Sequence, residues 1–402
     1  MNTIIKTFSL ATLFTGSLCA SGCIHAKSGA WVTGYVPGYE QTPNGDIPYM
    51  DDAQWQLITH AIHNSAIVKA DGGLDFDSNS IQTARRQAAI RIAHQHNVPI
   101  LFGISGWIST YQPVLDNPKT RQKLLENVIA VLKEGYDGID IDLEPLTEWG
   151  QEKAGNPSYV AFARELKAAM RGYKPPVANH PLLMTSIMGR DCVALKDIAA
   201  QFDQVNLMLY DLSGTFQDMT WHDSALYSGK GNKETYPNTD TPLVSVDYYV
   251  KNCTDAGLPA SKLGLGINLE TRLWIGGVSE PRQAWGMLGS KPKHFMTAKG
   301  VPQESYTVLL SKYFNPKHYR WDDEAKVPYL AIDNAGTAQD MFISFNDERS
   351  VAEKVRYQQR QNMGGIMIWN MSLDYNAQQS GAARHPIMTS ISKTLGQTGT
   401  DD

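Results

Sequence analysis

The feature that most limits what this chain can become is an alternation. Short apolar runs recur at residues 31–36, 57–62, 99–104, 138–143, 182–187, 205–209, 263–267 and 365–368, each with strand character. Amphipathic stretches separate them, and several open on clear helix-start signals. Asn117-Pro118 and Asn156-Pro157 each set a capping side chain before a proline in the first turn. After the first comes the stripe Leu124, Val128, Leu132; after the second come Tyr159, Phe162, Leu166 and Met170. Residues 78–97 and 350–363 read as two more helices. Strands alternating with helices predict a parallel sheet with crossover helices. Eight such strands predict an α/β fold of the closed (β/α)8 TIM-barrel type rather than an open sheet.

One stretch breaks the rhythm. Residues 276–344 contain Trp285, Tyr306, Tyr313, Tyr319, Trp321 and Tyr329 but no simple strand–helix unit. They read as a small α+β insertion between the seventh and eighth strands. The organisation expected is therefore a leader over 1–28, a barrel over 29–275 and 345–392, and the insertion over 276–344.

The chemistry concentrates in Asp137-Gly138-Ile139-Asp140-Ile141-Asp142-Leu143-Glu144. Strand side chains alternate faces, so Asp140, Asp142 and Glu144 share one face and the aliphatic residues the other. In a barrel the acids climb the interior to the C-terminal mouth, where barrel active sites lie. Same-face neighbours sit about 7 Å apart, and at an effective dielectric of about 20 each ionised pair repels by roughly 2 kcal/mol. At least one carboxyl should therefore keep its proton near neutral pH, as a general acid must. Glu144, nearest the mouth, is the natural donor. The rival readings are a solvated acidic face on an edge strand and a Mg²⁺ or Ca²⁺ site. His60 and His63 are three apart on a strand and face opposite ways, so they form no simple chelate. The expectation is no metal and no cofactor.

The front end reads as an export signal. Lys6 precedes an uncharged run from Thr7 to Gly22 that is too short and too rich in Ser and Thr to span a bilayer. Two ordinary cleavage sites compete with Ala20-Ser21-Gly22-Cys23, which resembles a lipobox with a lipid anchor at Cys23. Secretion and retention at the cell envelope both stay open. Of the four Cys, Cys192 and Cys253 lie beyond the leader, as a disulfide or as two buried thiols. Charge excludes one class of partner: 36 Lys and Arg against 41 Asp and Glu leave −5, nothing with which to hold a nucleic acid. A monomer is expected.

The acid strand matches the D-G-x-D-x-D-x-E signature of glycoside hydrolase family 18, the chitinase family, and a bacterial chitinase is the kind of member expected. The chain resembles that family from about Trp31 to Tyr375. Trp31 to Tyr39 resembles the family's first strand. Met208, Tyr210 and Asp211 resemble its M-x-Y-D motif. Leu263 to Ile267 followed by Arg272 and Trp274 resembles the seventh strand, and Gly364 to Trp369 the eighth. Two departures fall in the pocket floor. Gly103-Ile104-Ser105-Gly106 stands where the family has S-x-G-G, and Ser65 where it has an aromatic.

The resemblance implies substrate-assisted retaining hydrolysis of β-1,4-N-acetylglucosamine linkages in chitin or its oligosaccharides. It implies Glu144 as acid, Asp142 as holder of the substrate acetamide, Asp140 as its proton-sharing neighbour and Tyr210 as donor to the acetamide oxygen. Trp369 would floor the cleavage point. Asp211, Met208, Tyr35, Trp107 and Arg272 are implied as substrate contacts, and Trp274 is weighed with them against plain packing. Two further functions stand beside this one: an endo-β-N-acetylglucosaminidase acting on N-glycans or peptidoglycan, and a non-catalytic chitin-binding protein. Family members of the last kind usually lack the Glu.

Overall fold

The computed structural model describes residues 29–214, 219–236, 240, 242–283, 303–334, 337 and 339–396. The leader with Cys23, Trp285 of the insertion and the tail beyond 396 lie outside the described residues. Eight parallel strands close into a ring: β1 (Trp31–Pro37), β2 (His60–Val68), β3 (Ile100–Trp107), β4 (Gly138–Glu144), β5 (Leu182–Met188), β6 (Gln204–Met208), β7 (Leu263–Asn268) and β8 (Gly365–Trp369). Each pairs with its neighbours in chain order, and β1 pairs with both β2 and β8, which closes the barrel. The expected (β/α)8 architecture is what the chain forms.

The helix starts behave as their residues dictate. Asn117 accepts from Lys119 N at 2.9 Å and opens Pro118–Leu132; Asn156 accepts from Tyr159 N at 2.9 Å and opens Pro157–Ala169. Two boundaries move. The second strand begins at His60, not 57, because Asp51 and Gln54 form a reciprocal capping box that makes Asp52–Leu57 a helix. The helix expected over 78–97 spans Thr83–Gln95, because Asp75 accepts from Asp77 N, Ser78 N and Ser78 Oγ and holds the preceding residues in a turn.

The insertion is an antiparallel sheet in the order Gln303–Ser305, Glu270–Ile275, Met341–Ser344, Val327–Ile332, Tyr319–Asp322, with one helix, Tyr306–Lys312. It starts earlier than the sequence reading places it. Residues 270–275, assigned there to the barrel, pair with Met341–Ser344. The chain leaves the barrel at Leu269, whose N–H bonds to Trp369 O. A strand that changes sheets keeps its period of two, so the pattern alone does not show the switch.

Two cores result. Ile139, Ile141 and Leu143 of β4 pack outward with Leu124, Val128, Phe162 and Leu166 of the helices. Tyr35, Ile62, Leu101, Met184, Tyr210 and Met367 fill the barrel interior, with Met208 and Trp369 packed against them. Gly138 lets β4 enter this ring, since a Cβ there would lie 2.2 Å from Leu182 O. Cys192 and Cys253 are joined as a disulfide, their Cα atoms 5.0 Å apart. Among the described residues no helix is long and apolar enough to cross a membrane.

Candidate active site

The acid row stands where its period puts it. Asp140 is fully buried inside the barrel, and Asp142 and Glu144 keep partial exposure toward the mouth. Asp137, the first acid of the motif, does other work. It is buried at the strand's start and accepts from Ile100 N, Val177 N, Ala178 N and His94 Nε2 at 2.8–3.0 Å. A carboxylate with four donors is a clamp between loops, and those bonds hold its pKa low against burial.

The other three acids have few donors. The Tyr35 hydroxyl donates to Asp140 Oδ2 at 2.8 Å and also contacts Ser186 Oγ. Asp140 Oδ1 and Asp142 Oδ1 are buried without a partner among the described residues. Burial pushes Asp140 up to about 7 against the Tyr35 bond. Burial and then the charge of Asp140 push Asp142 up. Burial, then the charge of Asp142 and a hydrogen bond to it, push Glu144 well above the usual carboxylate range. The row therefore retains protons at neutral pH, and the proton nearest solvent is on Glu144, shared toward Asp142. Among the described residues no group of three or more His, Cys, Asp and Glu is placed to hold a metal ion.

Around the row stand the other residues the sequence singled out. Tyr210 is buried, and its hydroxyl contacts Met367 Sδ at 4.0 Å. That weak sulfur contact leaves the O–H able to donate to a ligand. Burial, then Asp142 and Glu144, hold it far from ionisation. Met208 ends β6 beneath the mouth. Trp369 ends β8, its ring edge-on to Tyr35 with centroids 5.2 Å apart, and its indole N–H donates to Glu270. Trp107 ends β3 in register with Glu144 and is 56% exposed, so its face is open to the cleft.

Arg272 and Asp211 form a pair. The buried Arg272 guanidinium binds the Asp211 carboxylate, which is exposed at the mouth, and Asp223 Oδ1 at 3.1 Å. Arg272 thus reaches the cleft through Asp211. Trp274 is fully buried against Phe342 and Val278 inside the insertion, so it packs there and lines no cleft. Ser65 and Ser105, the two departures in the floor, meet each other at 2.8 Å and fill that corner with hydroxyls. His63 bonds to Tyr136 and Gln41, and His60 to Thr59 and Gln204, on separate sides of β2.

Several neighbours of the site went unread in the sequence. Asp191, just past β5, accepts from Leu146 N at 3.0 Å and Thr147 Oγ1 at 2.8 Å, and so fixes the loop after Glu144. Its charge adds to the forces raising Glu144. Glu270 braces Trp369. Both follow a barrel strand directly, and in this fold a polar residue at that place faces the mouth.

The sequence profile described as Glycosyl hydrolases family 18 matches residues 32–374. Chitinase A1 of Niallia circulans is 27% identical over 297 residues, covering 70% of this chain and 41% of the relative. The chain spans about half or less of that protein and of a matched nematode relative. Fungal and mammalian proteins match as well, so the similarity does not single out bacteria. The crystal structure of the Ostrinia furnacalis Group IV chitinase superposes with a TM-score of 0.73 at 21% identity, covering 92% of this chain and 100% of that one. Human YKL-39, described as a pseudo-chitinase with retained chitooligosaccharide binding, superposes at 0.71 with 19% identity over 92% of this chain and 100% of that one. This chain belongs to the glycosyl hydrolases family 18.

Proposed function

We propose that the protein hydrolyses β-1,4-N-acetylglucosamine linkages of chitin or chitooligosaccharides with retention of configuration, the substrate's own acetamide acting as nucleophile. The observation that carries this is the proton-retaining row ending in Glu144, closed in by Tyr210 and Trp369. Glu144 gives its proton to the glycosidic oxygen as the C–O bond breaks. The acetamide oxygen attacks the anomeric carbon and forms an oxazolinium ion. Asp142 turns from Glu144 to accept the acetamide N–H and face the positive charge, and Asp140 shares the proton that Asp142 releases. The Tyr210 hydroxyl donates to the acetamide oxygen and fixes its approach. Glu144, now a carboxylate, takes a proton from the water that opens the ring. The same arrangement would serve a non-catalytic sugar-binding protein poorly, since binding alone gains nothing from a buried proton.

The test is stereochemical. Anomers formed from chitin hexasaccharide are followed by NMR, beside partly deacetylated chitosan. The β anomer should form first, and cleavage should occur only where the sugar on the non-reducing side of the bond is acetylated. Initial α product, or cutting beside a free amine, would refute the mechanism. Cutting of N-glycans or peptidoglycan in place of chitin would move the substrate to the endo-β-N-acetylglucosaminidase class.

Export belongs to the same reading, because the polymer lies outside cells. We propose removal of residues up to a point between Ala20 and Ser28, with Cys23 lipidated if the lipobox is used, and action as a monomer. Mass spectrometry of the mature protein reads the new N-terminus and any diacylglyceryl group. An intact Met1 would refute export. Sedimentation reads the monomer.

A further inference from the structure

We propose that Trp149 is a second sugar platform on the rim beside Glu144, engaging β-1,4-linked N-acetylglucosamine units beyond the pair being cleaved; the proposal deepens the function given above and rests on it. Trp149 is 70% exposed, more than any other large hydrophobic side chain among those described. An indole left in water gives up the burial that elsewhere stabilises a Trp. This one is nonetheless held in place. Its ring stacks over the Arg190 guanidinium, 3.8 Å from ring centroid to Cζ. Arg190 is itself almost entirely buried and is fixed by Glu152 at 2.9 Å and Thr147 O at 2.5 Å. The supporting loop is bonded throughout. Asp191 holds Leu146 N and Thr147 Oγ1, Asn156 Nδ2 donates to Leu146 O at 2.8 Å, and the Tyr111 hydroxyl binds Pro145 O. The disulfide at Cys192 anchors the next residue after Asp191. One face of the indole is occupied by a cation, and the ring is presented outward on a braced support.

Its place gives the ligand. β3, β4 and β5 are consecutive around the barrel. Trp107 ends β3 beside Glu144, and Arg190 comes two residues after β5. Two exposed indoles therefore flank the acid along one rim. Strands lie about 4.8 Å apart, so β3 and β5 are separated by about 10 Å, enough for the two rings to meet different sugar units of one chain. A pyranose presents a face of C–H bonds, and a flat indole suits that face without demanding a hydrogen-bond pattern. The occupant is thus the continuation of the polysaccharide.

The experiment compares wild type, Trp149→Ala and Trp149→Phe on N-acetylglucosamine hexasaccharide and trisaccharide. In Trp149→Ala the ratio of kcat/KM on the hexamer to that on the trimer should fall about tenfold, as for loss of one anchoring aromatic. Trp149→Phe should recover most of the ratio. An unchanged ratio, or an equal fall on both substrates, overturns the platform, since a loop that merely supports Glu144 would slow both alike. If wild type cleaves neither oligomer, the function reading fails by itself. Hexamer affinity by calorimetry then decides the platform: weaker binding in Trp149→Ala supports it, and equal binding or none overturns it.

Discussion

Two groups of buried charge sit within one barrel end and differ in the partners given to their carboxyls. The acid row of β4 holds Asp140, Asp142 and Glu144 and, among the described residues, has no cation bonded to it and two orphaned oxygens. At the junction of barrel and insertion, Asp223 is just as buried. It accepts from Arg272 Nε, Asn268 Nδ2 and Asp211 N, each at 3.1 Å, and the Lys354 ammonium bears on it. Lys354 is itself buried and donates to Ser224 Oγ at 2.7 Å and to Asn346 Oδ1. Burial lowers the pKa of Lys354 while Asp223 and Asp347 oppose that. In the second group opposite charge offsets part of the cost of removing charge from water, although burial still pushes Asp223 up to about 7, and the result ties two units together. In the first group no cationic side chain bonds to the carboxyls among the described residues, and raised pKa values keep protons on them instead. Placement of counter-charge, not burial, separates a fastener from a site.

The sharpest break between the two groups is Glu144→Gln. It removes the proton donor and leaves the shape. Hydrolysis of chitooligosaccharide should fall by about 10²-fold or more, while the thermal midpoint holds or rises. Near-native turnover would show that the row's proton is not the catalytic one.

Lys354→Met should act on stability instead. It removes a buried charge that bears on Asp223 from a distance and leaves Ser224 Oγ and Asn346 Oδ1 without their donor, which should cost about 1–3 kcal/mol. Urea unfolding measures it. A loss well under 1 kcal/mol would mean that Arg272 alone carries the junction and that the two groups differ less than their geometry suggests.

How much of this contrast was legible in the sequence follows from distance along the chain. The acid segment is eight consecutive residues, and the period of a strand orders them, so the shared face of Asp140, Asp142 and Glu144 could be read. The junction gathers Asp223, Asn268 with Arg272, and Asn346 with Lys354 from three separate stretches of the chain, and no local pattern announces that they meet. Arg272 could be noticed only as a neighbour of a motif, and its commitment to Asp211 and Asp223 required the fold. Trp274 illustrates the same limit. Its place after β7 looks like the mouth until the chain is seen to switch sheets at Leu269. Asp51 and Gln54, in contrast, spelled out a capping box that would have moved the second strand to its correct start.

Asp140→Asn should have the opposite sign to Lys354→Met. Asn keeps an acceptor for Tyr35 and removes one charge from the row, so the fold should gain about 2 kcal/mol above neutral pH, the size of one relieved repulsion. The pH dependence follows from the raised pKa. A carboxyl near 3.9 in the unfolded chain and about 7 in the folded one binds its proton more tightly when folded. Its contribution is fully favourable below about pH 4 and is lost as pH rises to about 7. Wild-type stability should decline across that window, and Asp140→Asn should flatten the decline. An unchanged slope would mean that Asp140 is ionised throughout.

The smallest effect expected is that of chelation, and it tests the rival reading of the same acids. A hard divalent cation wants six to eight oxygen ligands, at about 2.3–2.6 Å for Ca²⁺. Asp140 already spends one oxygen on Tyr35, and Glu144 holds a proton that a cation would have to displace. Dialysis against EDTA should leave turnover on chitooligosaccharide unchanged at every pH where Glu144 keeps its proton. If chelation abolishes turnover and Mg²⁺ or Ca²⁺ restores it, the row has a counter-charge after all. Its contrast with the Asp223 junction would then disappear, and the proton-donor role of Glu144 with it.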